Sequence, residues 1–199
     1  MEKRVDGPTV SIPQPKIIFM ALQSWKKIRQ EFELKNPWWT YRKDVTLLPS
    51  GNEGEYHYVH VKGSSMVIPQ MDDRRLVLVN QYRYLANRES IEFPCGSVKE
   101  SSTYEATARE ELAEETGFEA EDFLLAAEFN PYNGVTDEIC KVYSAKHLRS
   151  IQSHHDETEE FEQLRLLPEE FEAMVHRGDV WDGMTLAAWA LTKHFFLQP

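Results

Sequence analysis

The chain has 199 residues, 41% of them hydrophobic and 12% aromatic, enough for one ordinary domain with its own core and an added extension, without covalent staples. Its 33 acidic residues outnumber 22 Lys and Arg, and a formal charge of -11 repels phosphate backbones, which argues against nucleic acid as a partner. Cys95 and Cys140 lack metal-type spacing and read as reduced, buried thiols of an intracellular protein. The apolar run at 17–22 is far too short to span a bilayer and shows no small-residue cleavage site, so a cytoplasmic protein without export or membrane anchoring is expected.

Residues 1 to about 16 hold Pro8, Pro13 and Pro15 in a polar context and read as a loose arm, with order expected from Ile17. Extended segments follow from Trp25 to Val61, broken at Asn36-Pro37 and at Pro49-Ser50-Gly51-Asn52; residues 55–61 alternate like a strand. The reading is an arm and β-rich extension over 1–62 ahead of a main domain over 63–199. Residues 65–71 and 75–82 suggest a hairpin around Asp72-Asp73, and Leu76-Val77-Leu78-Val79, apolar on both faces, marks a central strand.

A helix is predicted at about 103–116, closed by Gly117 as C-cap, then strands at 123–129 and 138–144. After the acidic run 156–160 come a short helix at 169–177 stopped by Gly178 and a helix at 183–197 with Leu186, Trp189, Ala190 and Phe196 facing inward. Strands on either side of one central helix, with helices closing the chain, predict an α/β fold: a mixed sheet covered on both faces.

The densest chemistry lies between Pro94 and Phe118. On the predicted helix Glu111, Glu114 and Glu115 stand at i, i+3 and i+4, so they share one face. A solvated acidic face is the plain alternative. Against it, like-charge pairs at these spacings each cost about 0.2–0.5 kcal/mol, and no Lys or Arg between 110 and 140 relieves them. A hard divalent cation would remove that cost; Mg²⁺ takes oxygen ligands, keeps waters, and is commonly shared with substrate phosphates.

In this segment the chain resembles the Nudix hydrolases, whose signature reads Gx5Ex7REUxEExGU. Gly96, Glu111-Leu112, Glu114-Glu115 and Gly117-Phe118 match it, with Phe118 aromatic where the signature has an aliphatic residue. Ser102 stands at the signature's first Glu and Glu110 at its Arg, two positions that pair with each other in the family, while Arg109 is adjacent. Ser102 with Glu105 fits a capping box, which offers a substitute tie at the helix start.

The resemblance extends over about residues 36–196 to the branch acting on ADP-ribose and other nucleoside diphosphate sugars. It is carried by Asn36-Pro37-Trp38-Trp39, Leu48-Pro49-Ser50-Gly51, Gln81-Tyr82-Arg83, Glu92-Phe93-Pro94-Cys95-Gly96 and Gly134-Val135-Thr136-Asp137-Glu138. Asn133 occupies the place of that branch's marker proline.

What the resemblance implies is a Nudix α/β/α sandwich with an N-terminal antiparallel β-extension, hydrolysing the pyrophosphate of a nucleoside diphosphate sugar with Mg²⁺, or Mn²⁺ in its place. Glu111, Glu114, Glu115 and the backbone carbonyl of Cys95 are the implied metal ligands, and Glu115 is counted with the catalytic residues. Arg83 and Glu92 are implied substrate contacts, with a plain surface role the alternative for Arg83. Trp38 and Trp39 either stack on a nucleobase or bury themselves at a subunit interface. For the base, the acidic loop offers Glu157 first and Glu159 second, or is merely a solvated turn; His154 and His155 are left unassigned. A homodimer formed through the extension is implied as well. The alternatives are a Nudix-fold nucleotide-sugar sensor without turnover, a hydrolase of GDP-mannose, UDP-sugars or dinucleoside polyphosphates, and a nucleic-acid-processing enzyme, which the charge disfavours.

Overall fold

The computed structural model describes residues 21–151 and 162–197. The N-terminal arm, the first residues of the run from Ile17, and the acidic loop with Glu157 and Glu159 lie outside the described residues.

The extension is a three-stranded antiparallel meander of β1 (Lys26–Lys35), β2 (Thr40–Leu47) and β3 (Glu53–His60), β-rich as its alternation and turn residues predict and antiparallel as the resemblance implies. Asn36 makes the first reversal: its Oδ1 accepts from the backbone N–H of Trp38 at 2.8 Å and of Trp39 at 2.9 Å. Gly51, at φ 87°, makes the second. Across the strands Lys43 bridges Glu31 at 2.6 Å and Glu55 at 2.7 Å, while Arg42 holds Glu33 at 2.8 Å. All ten residues of β1 are exposed, Ile28, Phe32 and Leu34 among them.

Beyond the extension lie β4 (Ser64–Pro69), β5 (Leu76–Arg83), β6 (Arg88–Glu92), β7 (Cys95–Ser97) and the helix α1 (Tyr104–Thr116). They are followed by β8 (Phe118–Phe129), β9 (Cys140–Ser150), β10 (Glu162–Leu166), α2 (Pro168–Arg177) and α3 (Gly183–Thr192), the last running into a 3-10 turn at Lys193–Phe195. The strands form a mixed four-stranded sheet ordered β7-β4-β9-β8, in which β4 and β9 run parallel, and an antiparallel sheet ordered β10-β5-β6.

Strand alternation sends side chains to two cores. Val67, Val77, Tyr143 and Ala145 pack with Ala108 and Leu112 of α1. Met66, Ile68, Leu76, Leu78 and Val142 pack on the other side with Phe171 of α2 and Trp189 of α3. Helices thus cover both faces, the predicted α/β/α sandwich, and residues 76–79 form the buried centre of their sheet. An aromatic cluster closes the second core, with Phe171 edge-on to Trp189 at 5.0 Å between centroids and Phe93 at 5.2 Å from Phe171.

Some local expectations are corrected. The segments around Asp72-Asp73 do turn, through Met71 and Arg75, but β4 and β5 belong to different sheets and share only the bridge Gln70 to Leu76. β4 and the first half of β5 are buried on both faces, so pattern alone could not name their partners. β8 starts five residues before the predicted span, directly after the Gly117 cap, while β9 begins at Cys140 and runs on to Ser150 as its antiparallel partner. In α3 Ala190 is exposed; Thr185, Ala188, Trp189 and Thr192 form the buried face.

Candidate active site

Strand β7, the loop 98–102 and α1 place the predicted acids. Pairing of Met66 with Cys95, Ser65 with Gly96 and Ser64 with Ser97 lays β7 against β4, and the N–H of Val98 adds one more bond to the Gly63 carbonyl at 2.9 Å. The helix is fixed at its start by Ser65, whose hydroxyl donates to the Tyr104 carbonyl at 2.6 Å, and at its end by Gly117 at φ 68°.

The N-cap is Thr103, accepting from Ala106 N–H at 3.1 Å, so the Ser102–Glu105 capping box does not form. The Ser102 hydroxyl lies 3.1 Å from that of Thr107, and Glu105 instead binds Arg109 at 3.0 Å. Arg109 therefore points away from the place of the missing signature arginine. Glu110 has a partner that sequence reading overlooked: Lys99 of the loop, at 3.2 Å, whose ammonium is held above its ordinary pKa first by this hydrogen bond.

Glu111 is half-buried, Glu114 exposed and Glu115 8% exposed. All three border one cavity of about 720 Å³, together with Cys95, Arg83, Trp38 and Trp39. The wall thus unites residues from the extension, β5, β7 and α1. Among the described residues no three carboxylate, imidazole or thiol groups are already gathered tightly enough to enclose an ion. The expected convergence is therefore one of a shared cavity rather than of touching oxygens, as befits long, rotatable Glu side chains on one helix face.

The donor set still fits a hard cation. Three carboxylates and a backbone carbonyl are all oxygen ligands, and Gly96 leaves the room they need: a Cβ there would sit 1.7 Å from Glu111 Oε1. Glycine lets the Glu111 carboxylate lie directly against β7, the strand that begins at Cys95. The thiols of Cys95 and Cys140, both free, hydrogen-bond to one another; this contact first, with burial second, pushes the Cys95 thiol up. Cys140 is buried, and Cys95 is half-buried as a residue with its thiol turned inward.

Arg83 and Glu92 do not act side by side on the cavity. Glu92, 3% exposed, is absent from the cavity wall and accepts from Arg83 Nε at 2.8 Å and from Arg83 Nη2. This contact holds the Arg83 guanidinium above its ordinary value. The partner that the structure gives Glu92, expected as a substrate contact, is Arg83, whose plane it braces. Trp38 is 80% exposed at the cavity mouth and Trp39 42%.

The junction between extension and core forms another wall. Asp137 accepts from His60 Nδ1 at 2.6 Å and from Val61 N–H at 3.2 Å, while Val59 bridges to Thr136. The Gly134–Glu138 segment thus docks the end of β3. Next along the chain, the Lys62 ammonium donates to the carbonyls of Lys99 at 2.7 Å, Glu100 at 2.7 Å and Ser102 at 3.2 Å. Sequence reading passed over Lys62, because its partners lie far away in the chain and are backbone atoms with no residue signature.

A mixed sheet between helices, with a glycine loop leading into a carboxylate-bearing helix, defines a recognisable class. The NUDIX domain family model matches residues 60–186, and the chain belongs to the Nudix family. It is similar to the ADP-ribose pyrophosphatase of Bacillus subtilis (strain 168), 30% identical over 150 residues, covering 74% of this chain and 80% of that protein. It is also similar to the methanol dehydrogenase activator of Bacillus methanolicus, 29% identical, covering 73% and 80% of the two chains. A third relative is the ADP-ribose pyrophosphatase of Mycobacterium tuberculosis, 26% identical and covering 70% of each. The crystal structure of an ADP compounds hydrolase superposes with a TM-score of 0.77 at 19% identity, covering 88% of this chain and 96% of that one, a likeness of fold.

Proposed function

We propose that the protein hydrolyses the pyrophosphate bond of a nucleoside diphosphate sugar, with ADP-ribose or an ADP-sugar as the first choice, giving a nucleoside monophosphate and a sugar phosphate. The observation that carries this reading is the single cavity bordered by Glu111, Glu114, Glu115, Cys95, Arg83 and the Trp38-Trp39 pair. A pyrophosphatase name on two of the relatives supports the reaction class.

Glu111, Glu114, Glu115 and the Cys95 carbonyl would hold Mg²⁺, with Mn²⁺ accepted by the same oxygen donors. Such an ion, when bound, neutralises the phosphate charge that repels an incoming water. Arg83, held in plane by Glu92, presents a guanidinium suited to two phosphate oxygens. Trp38 and Trp39 offer a stacking surface for the base. Water attacks phosphorus after losing its proton to Glu157, or to Glu159 in its stead. Residues 63–199 would form the hydrolase domain and 1–62 the arm and dimerisation extension of a cytoplasmic homodimer, the exposed β1 face supplying the contact. Among the described residues no helix is long and apolar enough to cross a membrane. The sensor reading loses its motive, because loop and helix are tied by Lys99 and Glu110 in spite of the missing signature pair.

Incubation with Mg²⁺ and a panel of nucleotide sugars, with the products separated by chromatography, tests the proposal. AMP and ribose 5-phosphate are expected from ADP-ribose, and little or none from Glu115→Gln. Glu157→Gln should slow turnover by about two to four orders of magnitude with metal affinity nearly intact. Absence of product from every diphosphate would sink the reading.

A further inference from the structure

The loop 98–102 joins β7, which carries the Cys95 carbonyl, to α1, which carries the three carboxylates. Its backbone ladder to β4 ends at the bond from Val98 to the Gly63 carbonyl. One residue earlier in the chain, Lys62 continues that contact by side chain, its ammonium meeting the carbonyls of Lys99, Glu100 and Ser102 at 2.7, 2.7 and 3.2 Å. Three N–H donors meet three acceptors, the full capacity of an ammonium group.

The stem is held too. The Lys62 carbonyl accepts from the Tyr104 hydroxyl at 3.1 Å, and Gly63 at φ 135° could carry no side chain, since a Cβ would meet Tyr104 Oη at 2.3 Å. On the other side of the loop Lys99 reaches Glu110 of α1.

We infer that Lys62 is a positioning residue of the cation site: a tethered monovalent cation that folds the loop onto itself and thereby sets the distance between the Cys95 carbonyl and the carboxylates of α1. It does so where Ser102 and Glu110 leave no carboxylate-guanidinium tie, and with Lys99–Glu110 it forms a replacement of different chemistry. The inference rests on reading this cavity as a cation site. Lys62 itself is exposed and belongs to neither hydrophobic core, so its replacement is expected to leave the fold intact.

The test measures Mn²⁺ affinity without substrate by electron paramagnetic resonance, and amide exchange of residues 98–103, in the native protein, Lys62→Met and Lys62→Arg. Lys62→Met should weaken Mn²⁺ binding about 10- to 100-fold, the usual cost of losing a group that orients metal ligands, with faster exchange confined to the loop and an unchanged melting temperature. Lys62→Arg should recover only part of the affinity, because a planar fork cannot satisfy three carbonyls around one point. Native Mn²⁺ affinity and native loop exchange in Lys62→Met would overturn the inference. A native protein that binds Mn²⁺ yet hydrolyses no nucleotide sugar would refute the proposed reaction and leave the role of Lys62 standing.

Discussion

Strands β4 and β1 are built on opposite terms. Every residue of β4 is buried, with Val67 and Ile68 at 0% exposure facing different cores, whereas all of β1 is exposed and its order comes from one neighbouring strand and a set of ion pairs. Burial of a Val or Ile side chain is worth about 1.5–3 kcal/mol, while an exposed ion pair contributes about 0–1 kcal/mol. The core can therefore hold geometry by itself. The extension leaves Ile28, Phe32 and Leu34 exposed, and the cavity draws on both regions because Trp38 and Trp39 come from one and the acids from the other.

The largest effect should come from breaking the core side of this contrast. Leu112→Ala removes the α1 side chain that packs against Val67 and Val77, and urea unfolding should show a loss of about 2–5 kcal/mol. A loss below 1 kcal/mol would mean that α1 is not held by this core. On the extension side Phe32→Asp should leave core stability within about 0.5 kcal/mol yet halve the mass seen in sedimentation, if β1 is the subunit contact. An unchanged mass would move the interface elsewhere.

The smallest effect is one of pH. Lys43 holds the carboxyls of Glu31 and Glu55 below their ordinary pKa, and Arg42 does the same for Glu33, each chiefly through its hydrogen bond. Depressed carboxyls stabilise the folded state at neutral pH, and that contribution is lost as pH falls below about 4.3 toward their folded values. Amide exchange in β1 and β2 should therefore accelerate on acidification before exchange in β4 does. Simultaneous acceleration in all three strands would show that the extension has no separate weakness.

Much of this was legible in the sequence where the signal is local. The spacing of Glu111, Glu114 and Glu115, the turns at Asn36 and Gly51, and the caps at Gly117 and Gly178 each follow from a few adjacent residues. Reading failed where neighbours are remote or compete. β4 finds a parallel partner in β9, far along the chain, and a fully buried strand carries no mark of its neighbour. Ser102 and Thr103 are both N-cap types, yet Thr103 takes the cap while Ser102 turns to Thr107. The pairing of Glu92 with Arg83 likewise joins residues of two strands, β5 and β6, and a buried carboxylate in a loop-entry motif carries no mark of that partner.

The docking of β3 onto the Gly134–Glu138 segment has a further thermodynamic consequence. With Trp38 and Trp39 of the extension and the acids of α1 bordering one cavity, a ligand that touches both acts as a fastener whose affinity is shared by two differently stabilised regions. Its binding free energy adds to the weaker body's resistance to opening as well as to the stronger one's. Saturating ligand should thus merge an early, low-temperature loosening of the extension with the main melting transition, so that the liganded protein unfolds in one cooperative step.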